Sequence, residues 1–349
     1  MNDATQNGFL EKMIGDMGAA ASASLVLIGE KLGLYKALAD CGPLEPGGLA
    51  ERTGTAERYV REWLAAQAAS GYVDHDPATG RFSMNADQAA VFSDQNSPVY
   101  LAGGFTGIAS LFLDEPKISA AFRSGEGVAW HEHSECLFCG TEKFFRPGYM
   151  NHLVADWIPA LEGVREKLER GATVADVGCG HGISTTVMAK AFPRSRFVGF
   201  DYHEPSVVRA GEVAKEAGVE NVTFEAAAAK TFPGRDYDLV AFFDCLHDMG
   251  DPVGAVSHVR QSLKSDGTLM IVEPFAHDEL EKNLNPIGRM YYCFSTMVCT
   301  PASLSQEVGL ALGAQAGEKR LREVVESGGF TRFRRATETP FNLVLEARP

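Results

Sequence analysis

Apolar positions recur along this chain in two different rhythms, and the change between them near residue 172 divides it. Over residues 20–95 the period is helical. Leu25, Ile28, Leu32, Leu34 and Leu38 fall on one stripe, which predicts a helix closed by Gly42-Pro43. After Leu49-Ala50-Glu51-Arg52 and a turn at Thr53-Gly54-Thr55, a second helix is predicted through Tyr59, Val60, Trp63 and Leu64 to Gly71, with the Thr55 hydroxyl as its cap. Tyr72-Val73 and Arg81-Phe82-Ser83 flank Asp76-Pro77-Ala78-Thr79-Gly80 and predict a small hairpin. Helices followed by one short hairpin make a winged-helix pattern.

Beyond residue 172, short apolar runs alternate with amphipathic ones. Strands are predicted at Thr173–Gly178, Arg196–Asp201, Val222–Glu225, Tyr237–Phe243 and Thr268–Pro274, with helices at about 183–192, 205–217 and 251–264. Such alternation implies a parallel sheet with right-handed crossovers. At the end of the chain a helix, Glu318–Ser327, precedes strands Thr331–Ala336 and Phe341–Ala347, whose short connection suits an antiparallel hairpin. The expected fold class is α/β: a Rossmann-like, mostly parallel sheet with an antiparallel C-terminal hairpin, behind a mainly α winged-helix domain. The expected boundaries are 1–100 for the winged helix, 101–160 for a linker with covering helices, and 161–349 for the sheet domain.

Length and composition agree with this division. At 349 residues the chain exceeds what one core usually holds, and 45% hydrophobic with 22% charged residues is ordinary globular usage. The formal net charge is −14, and residues 1–100 carry seven Lys plus Arg against thirteen Asp plus Glu. Binding phosphates needs concentrated cations, so nucleic acid is not expected as a partner. No apolar run of the ~18 residues that span a membrane is expected, and no basic n-region precedes an apolar stretch at the N-terminus. Seven cysteines, an odd number without regular spacing, fit reduced thiols. The expected location is the cytoplasm.

The segment richest in chemistry is Val174-Ala175-Asp176-Val177-Gly178-Cys179-Gly180-His181-Gly182. A buried strand passes through three alternating glycines into a helix, which lets a ligand approach the main chain. The dinucleotide fingerprint would place its third glycine where this chain has Ile183, which disfavours hydride chemistry. Asp201 closes the next strand, about 20 positions on, where an acid can accept both ribose hydroxyls of an adenosine.

With DVGCGHG, FVGFD, YDLVAFFDCLHDMGDP, GTLMIVEPF and GGFTRFRRATETPFNLVLEAR in this order, the chain resembles the class I S-adenosylmethionine-dependent methyltransferases. The segment LGLYKALADCGPLEPGGLAERTGTAERYVREWLAAQAASGYV resembles the dimerisation domain of small-molecule O-methyltransferases from plants and bacterial antibiotic pathways. The resemblance implies S-adenosyl-L-methionine as cofactor, a small-molecule methyl acceptor and a homodimer formed through the N-terminal domain. It implies that Asp176, Gly178 and Gly180 line the amino-acid and sulfonium end of the cofactor and Asp201 its ribose, with Asp244 facing the same crevice. Where the family usually has an acid after the third strand, this chain has Ala226-Ala227-Ala228-Ala229, so the adenine contact has no assigned residue.

For the reaction, His247 resembles the family's catalytic histidine, and Glu273 stands where a carboxylate orients it. A histidine here can equally fix the loop or shield the cofactor. Tyr149, Met150 and His152, with Trp157, match the spacing of the helix that covers the family's active site; the same residues also suit a core helix. Tyr292 and Met297, in the insert after the fifth strand, fall where the family builds its acceptor pocket. His131, His133, Cys136 and Cys139 are adequate zinc donors crowded into nine positions; a lid or pocket loop is the preferred reading, and no metal is expected. Two other functions fit the pattern: a winged-helix transcriptional regulator, and N-, C- or S-methylation on the same cofactor.

Overall fold

The apolar runs that follow residue 172 become the buried strands of one sheet. The computed structural model describes residues 3–349. Two short strands, β1 (Asp74–Asp76) and β2 (Arg81–Ser83), form the N-terminal hairpin. Seven more build the large sheet: β3 (Thr173–Val177), β4 (Arg196–Asp201), β5 (Val222–Ala226), β6 (Tyr237–Phe243), β7 (Leu263–Pro274), β8 (Arg332–Glu338) and β9 (Asn342–Arg348). Their order is β5-β4-β3-β6-β7-β9-β8. The first five lie parallel, and β9 runs antiparallel between β7 and β8. Chain order reverses at β3, which has β4 on one side and β6 on the other, so loops from both directions diverge there and leave a crevice at the strand ends.

The sheet's central strands are buried on both faces, as parallel strands between helix layers must be. Val240, Phe242, Leu269, Ile271, Leu343 and Leu345 form the middle of that core. Helices Ile183–Ala191, Glu204–Glu216 and Pro252–Ser262 supply the crossovers within a residue or two of their predicted limits. Strand β7 begins at Leu263, five residues earlier than predicted, because Leu263 pairs with Tyr237 before a bulge shifts the register to Leu239–Thr268.

The chain divides into two compact units. One runs up to Ser110 and adds Glu135–Pro147; the other takes Leu111–Ser134 and Gly148–Pro349. The first unit is mainly helical around Val26, Leu34, Tyr35, Leu38, Trp63 and Leu64. Three local expectations change here. The single stripe through Leu25–Leu38 is two helices, Asp3–Lys31 and Leu34–Cys41, because Gly33 turns the chain at φ 67°. Thr55 does not cap the helix Glu57–Ala69: Ala56 holds that position, and the Thr55 hydroxyl pairs with that of Thr53. The hairpin's first strand starts at Asp74, two residues after the predicted Tyr72.

The expectation about apolar length also needs correction. Asn7–Lys31 is one helix long and apolar enough to cross a membrane, judged by length and composition alone. Its Ala, Gly and Ser residues keep the average apolar although charged side chains interrupt every continuous run. Its large apolar side chains, from Phe9 (65% exposed) through Leu10, Met13 and Ile14 to Met17 (69%), are exposed in this single chain at helical spacing.

Candidate functional site

The glycine turn after β3 is shaped by its neighbours. Gly178 has φ 77°, and its N–H donates to the Phe200 carbonyl at 2.7 Å. A Cβ at Gly178 would lie 2.6 Å from Cys245 Sγ, so no side chain fits. At Gly180 an added Cβ would meet nothing within 4 Å, so the turn opens onto free space there. The Gly180 N–H donates to Asp201 Oδ2 at 2.9 Å, and the His203 N–H donates to Oδ1 at 2.9 Å. The acid that closes β4 thus holds the glycine turn of β3, and burial raises its carboxyl above the usual range.

Asp176 lies beneath this turn, fully buried. One oxygen accepts from the Ser184 and Thr185 hydroxyls, each at 2.7 Å, which ties the first turn of Ile183–Ala191 to β3. The other oxygen has no hydrogen-bond partner. Burial pushes this carboxyl up to about 6, against the two hydroxyl bonds that favour its charge.

Asp244 follows β6 in the left-handed region, at φ 51°. Its carboxylate accepts from the Tyr149 hydroxyl at 2.8 Å and from Asn342 Nδ2 at 2.9 Å, and burial holds it well above the carboxylate range. These bonds give Asp244 an anchoring task that the sequence did not suggest: it joins Tyr149, on the π-helical segment Tyr149–Trp157, to the start of β9.

His247 and Glu273 form the pair that the sequence predicts. Both are buried, and His247 Nδ1 bonds Glu273 Oε2 in a short contact, while Glu273 Oε1 accepts the Leu246 N–H at 2.9 Å. The other ring nitrogen has surroundings that sequence did not suggest. Nε2 lies 3.2 Å from Asp248 Oδ1, an oxygen buried without an aligned hydrogen-bond donor, and the Cys299 thiol packs against both residues. Burial pulls the imidazole down, but Asp248 and Glu273 carry it well above the ordinary histidine range. The histidine therefore holds its proton more tightly than a base poised near neutrality. Asp248 was legible as a neighbour of His247; Cys299, 52 positions along the chain, carried no signal in the pattern.

The remaining predicted residues fall in the same unit. Tyr149 is buried, Met150 is exposed, and His152 stacks on Trp157 with Nδ1 2.7 Å from Asp156. Tyr292 is half-buried in Pro286–Phe294, and Met297 is half-buried in a second π-helical segment, Ser295–Cys299. Such widened turns occur often at functional sites. The four residues of the histidine–cysteine run separate: His131 and Cys139 are exposed, Cys136 is half-buried, and His133 is buried with Nδ1 3.2 Å from Asp114. All seven cysteines are free.

Comparison with known proteins follows the same division. A family described as a methyltransferase domain matches residues 168–329, and one described as a winged helix-turn-helix domain matches residues 20–94. An uncharacterised methyltransferase of Bacillus subtilis is 31% identical over 121 residues, which are 34% of this chain and 47% of that protein. The chain spans less than half the length of the curated relatives it matches. Solved structures cover all of it, among them the two that follow. The mitomycin 7-O-methyltransferase aligns over 100% of both chains with a TM-score of 0.70 at 20% identity. Human N-acetylserotonin methyltransferase, solved with S-adenosylmethionine, aligns over 100% of this chain and 98% of its own, with a TM-score of 0.73 at 15% identity. At such identities the likeness speaks to the fold. The strand order with its antiparallel β9, the glycine turn held by Asp201 and the two family matches converge: the chain carries a methyltransferase domain behind an N-terminal winged helix-turn-helix domain.

Proposed function

We propose that the protein transfers the methyl group of S-adenosylmethionine to a hydroxyl of a small molecule, with His247 accepting the hydroxyl proton and Glu273 orienting it. The observation that carries this reading is the buried His247–Glu273 pair. It stands after β6 and at the end of β7, on the edge of the sheet where β3 and β4 carry the glycine turn and Asp201.

The cofactor fits the residues present. The space open at Gly180 lets a ligand reach the main chain, and Asp201 presents a half-buried carboxylate beside it. Asp176, Gly178, Gly180, Asp201 and Asp244 are the residues we assign to holding it. When bound, S-adenosylmethionine supplies an electrophilic methyl on a sulfonium. The chain's task is then alignment, worth about 7–11 kcal/mol, together with removal of the hydroxyl proton. Glu273 on Nδ1 fixes the imidazole's orientation, and Nε2, which lies 3.2 Å from Asp248 Oδ1, gives up that contact and its proton to become the accepting atom. The acceptor pocket is assigned to Tyr149, Met150, His152, Tyr292 and Met297. O-methylation is the chemistry named for the mitomycin enzyme, which shares the fold.

In this reading two copies pair in the cytoplasm through the exposed apolar face of Asp3–Lys31. The acidic balance of residues 1–100 weighs against a DNA-binding use of the winged helix.

The test is a panel of phenols, catechols and aliphatic alcohols scored by release of S-adenosylhomocysteine. With an acceptor found, His247→Gln should lower turnover by about 10²–10⁴-fold while cofactor affinity by calorimetry stays unchanged. Full turnover in that variant at saturating cofactor would refute the base assignment. Transfer confined to amine, thiol or carbon acceptors would refute the hydroxyl.

A further inference from the structure

Outside its bond to Glu273, His247 belongs to a second cluster, whose Asp248 and Cys299 have no part in the methyl transfer proposed above. Among the described residues, one donor atom each from His247, Asp248 and Cys299 lies within 4.8 Å of the others. His247 and Asp248 come from the turn Leu246–Asp248, and Cys299 ends the segment Ser295–Cys299, so the donors meet only in the folded chain. Nitrogen, carboxylate oxygen and thiolate are the ligand types that zinc takes in tetrahedral sites.

One further observation points to an ion. Metal-binding histidines almost always give their second ring nitrogen to a carboxylate, and His247 Nδ1 is held by Glu273. Asp248 Oδ1 lies 3.2 Å from His247 Nε2, so a cation entering the cluster would stand between these two atoms and take over their contact.

We propose that His247 Nε2, the Asp248 carboxylate and the Cys299 thiolate hold a zinc ion, with water as the fourth ligand. The ion takes the ring nitrogen that would otherwise accept the hydroxyl proton. Zinc is thus a reversible blocker of the base assigned above. That consequence rests on the His247 reading; the binding itself does not. Loading releases the thiol proton, and the imidazolium proton where it is present, to solvent as the metal–sulfur and metal–nitrogen bonds form.

The experiment uses the full chain stripped of metal and titrated with cobalt(II) and with zinc. One equivalent should bind. Cobalt should produce a thiolate charge-transfer band that zinc abolishes. Cys299→Ser should remove the band, and Asp248→Asn should weaken binding by about tenfold or more. Glu273→Gln should weaken it by about 10–100-fold, the range for loss of a ligand's outer partner. Cys136→Ser and Cys139→Ser should leave the band intact. Circular dichroism and S-adenosylhomocysteine binding establish that each variant is folded. Absence of stoichiometric binding in the unmodified chain overturns the site, as do a band that survives Cys299→Ser and unchanged affinity in Asp248→Asn. Because ion binding is read without turnover, its failure is separate from failure of the acceptor chemistry.

Discussion

Replacing Asp176 with asparagine measures what a buried carboxylate costs the ligand-free fold. Burial, with a smaller push from the Asp201 charge, raises this carboxyl from 3.8 to about 6, while the Ser184 and Thr185 hydroxyls oppose the rise. Each pKa unit is about 1.36 kcal/mol, so the group destabilises the folded state by about 3 kcal/mol at pH 8. The folded chain holds this proton more tightly than the unfolded chain. The cost is therefore fully present above about pH 6 and is relieved as pH falls through 6 toward 3.8. At pH 5 about half of it remains, so the wild type should gain about 1–2 kcal/mol over Asp176→Asn between pH 8 and pH 5. The absolute level is less informative. The variant escapes the charge but places an amide where Oδ1 has no hydrogen-bond partner, which costs about 1–3 kcal/mol and nearly cancels the gain. Urea unfolding of both proteins at pH 5, 6, 7 and 8 reads the slope directly. Parallel pH profiles for the two proteins would refute the argument that burial holds Asp176 partly protonated.

Two further outcomes follow from the packing. Gly178→Ala forces a side chain into a backbone at φ 77° and to 2.6 Å from Cys245 Sγ, so it should destabilise the protein by about 2–4 kcal/mol and abolish S-adenosylhomocysteine binding in calorimetry. Wild-type affinity in that variant would refute the cofactor assignment. The paired helices should bury more than about 2,000 Å² in a stable dimer, and Ile14→Glu with Met17→Lys should give a folded monomer in sedimentation. A monomeric wild type at micromolar concentration would contradict the pairing.

The methyltransferase domain was legible because its signals are local. Arg196–Asp201 and Tyr237–Phe243 are runs whose composition alone specifies a strand, and their limits agree with the structure to the residue. The glycines at 178, 180 and 182 all adopt positive φ, a backbone requirement written directly in residue type. The His247–Glu273 pair was legible through the family resemblance, and the structure gives its physical basis: parallel neighbours place their last residues on one edge, so the two side chains at those ends meet. Boundaries decided by partners were less legible. Residues Leu263–Gly267 read as the end of a helix and its turn, yet they join β7 because Tyr237 offers Leu263 a ladder position.

Local pattern therefore determined the elements, their order and the residues that end each strand, since periodicity and glycine placement act within a few positions of the chain. Contacts across long separations decided the rest. Asp244 has the same residue type and strand-end position as an open ligand contact, and only the folded chain brings Tyr149 and Asn342 onto its two oxygens. His131, His133, Cys136 and Cys139 read as one cluster because they are adjacent in sequence, but burial separates them, and His133 turns to Asp114. The proton affinity of His247 was beyond any pattern, because it is set by Asp248 and Glu273 through space in a low-dielectric interior, where charge interactions are strongest and depend on distances that spacing along the chain does not encode.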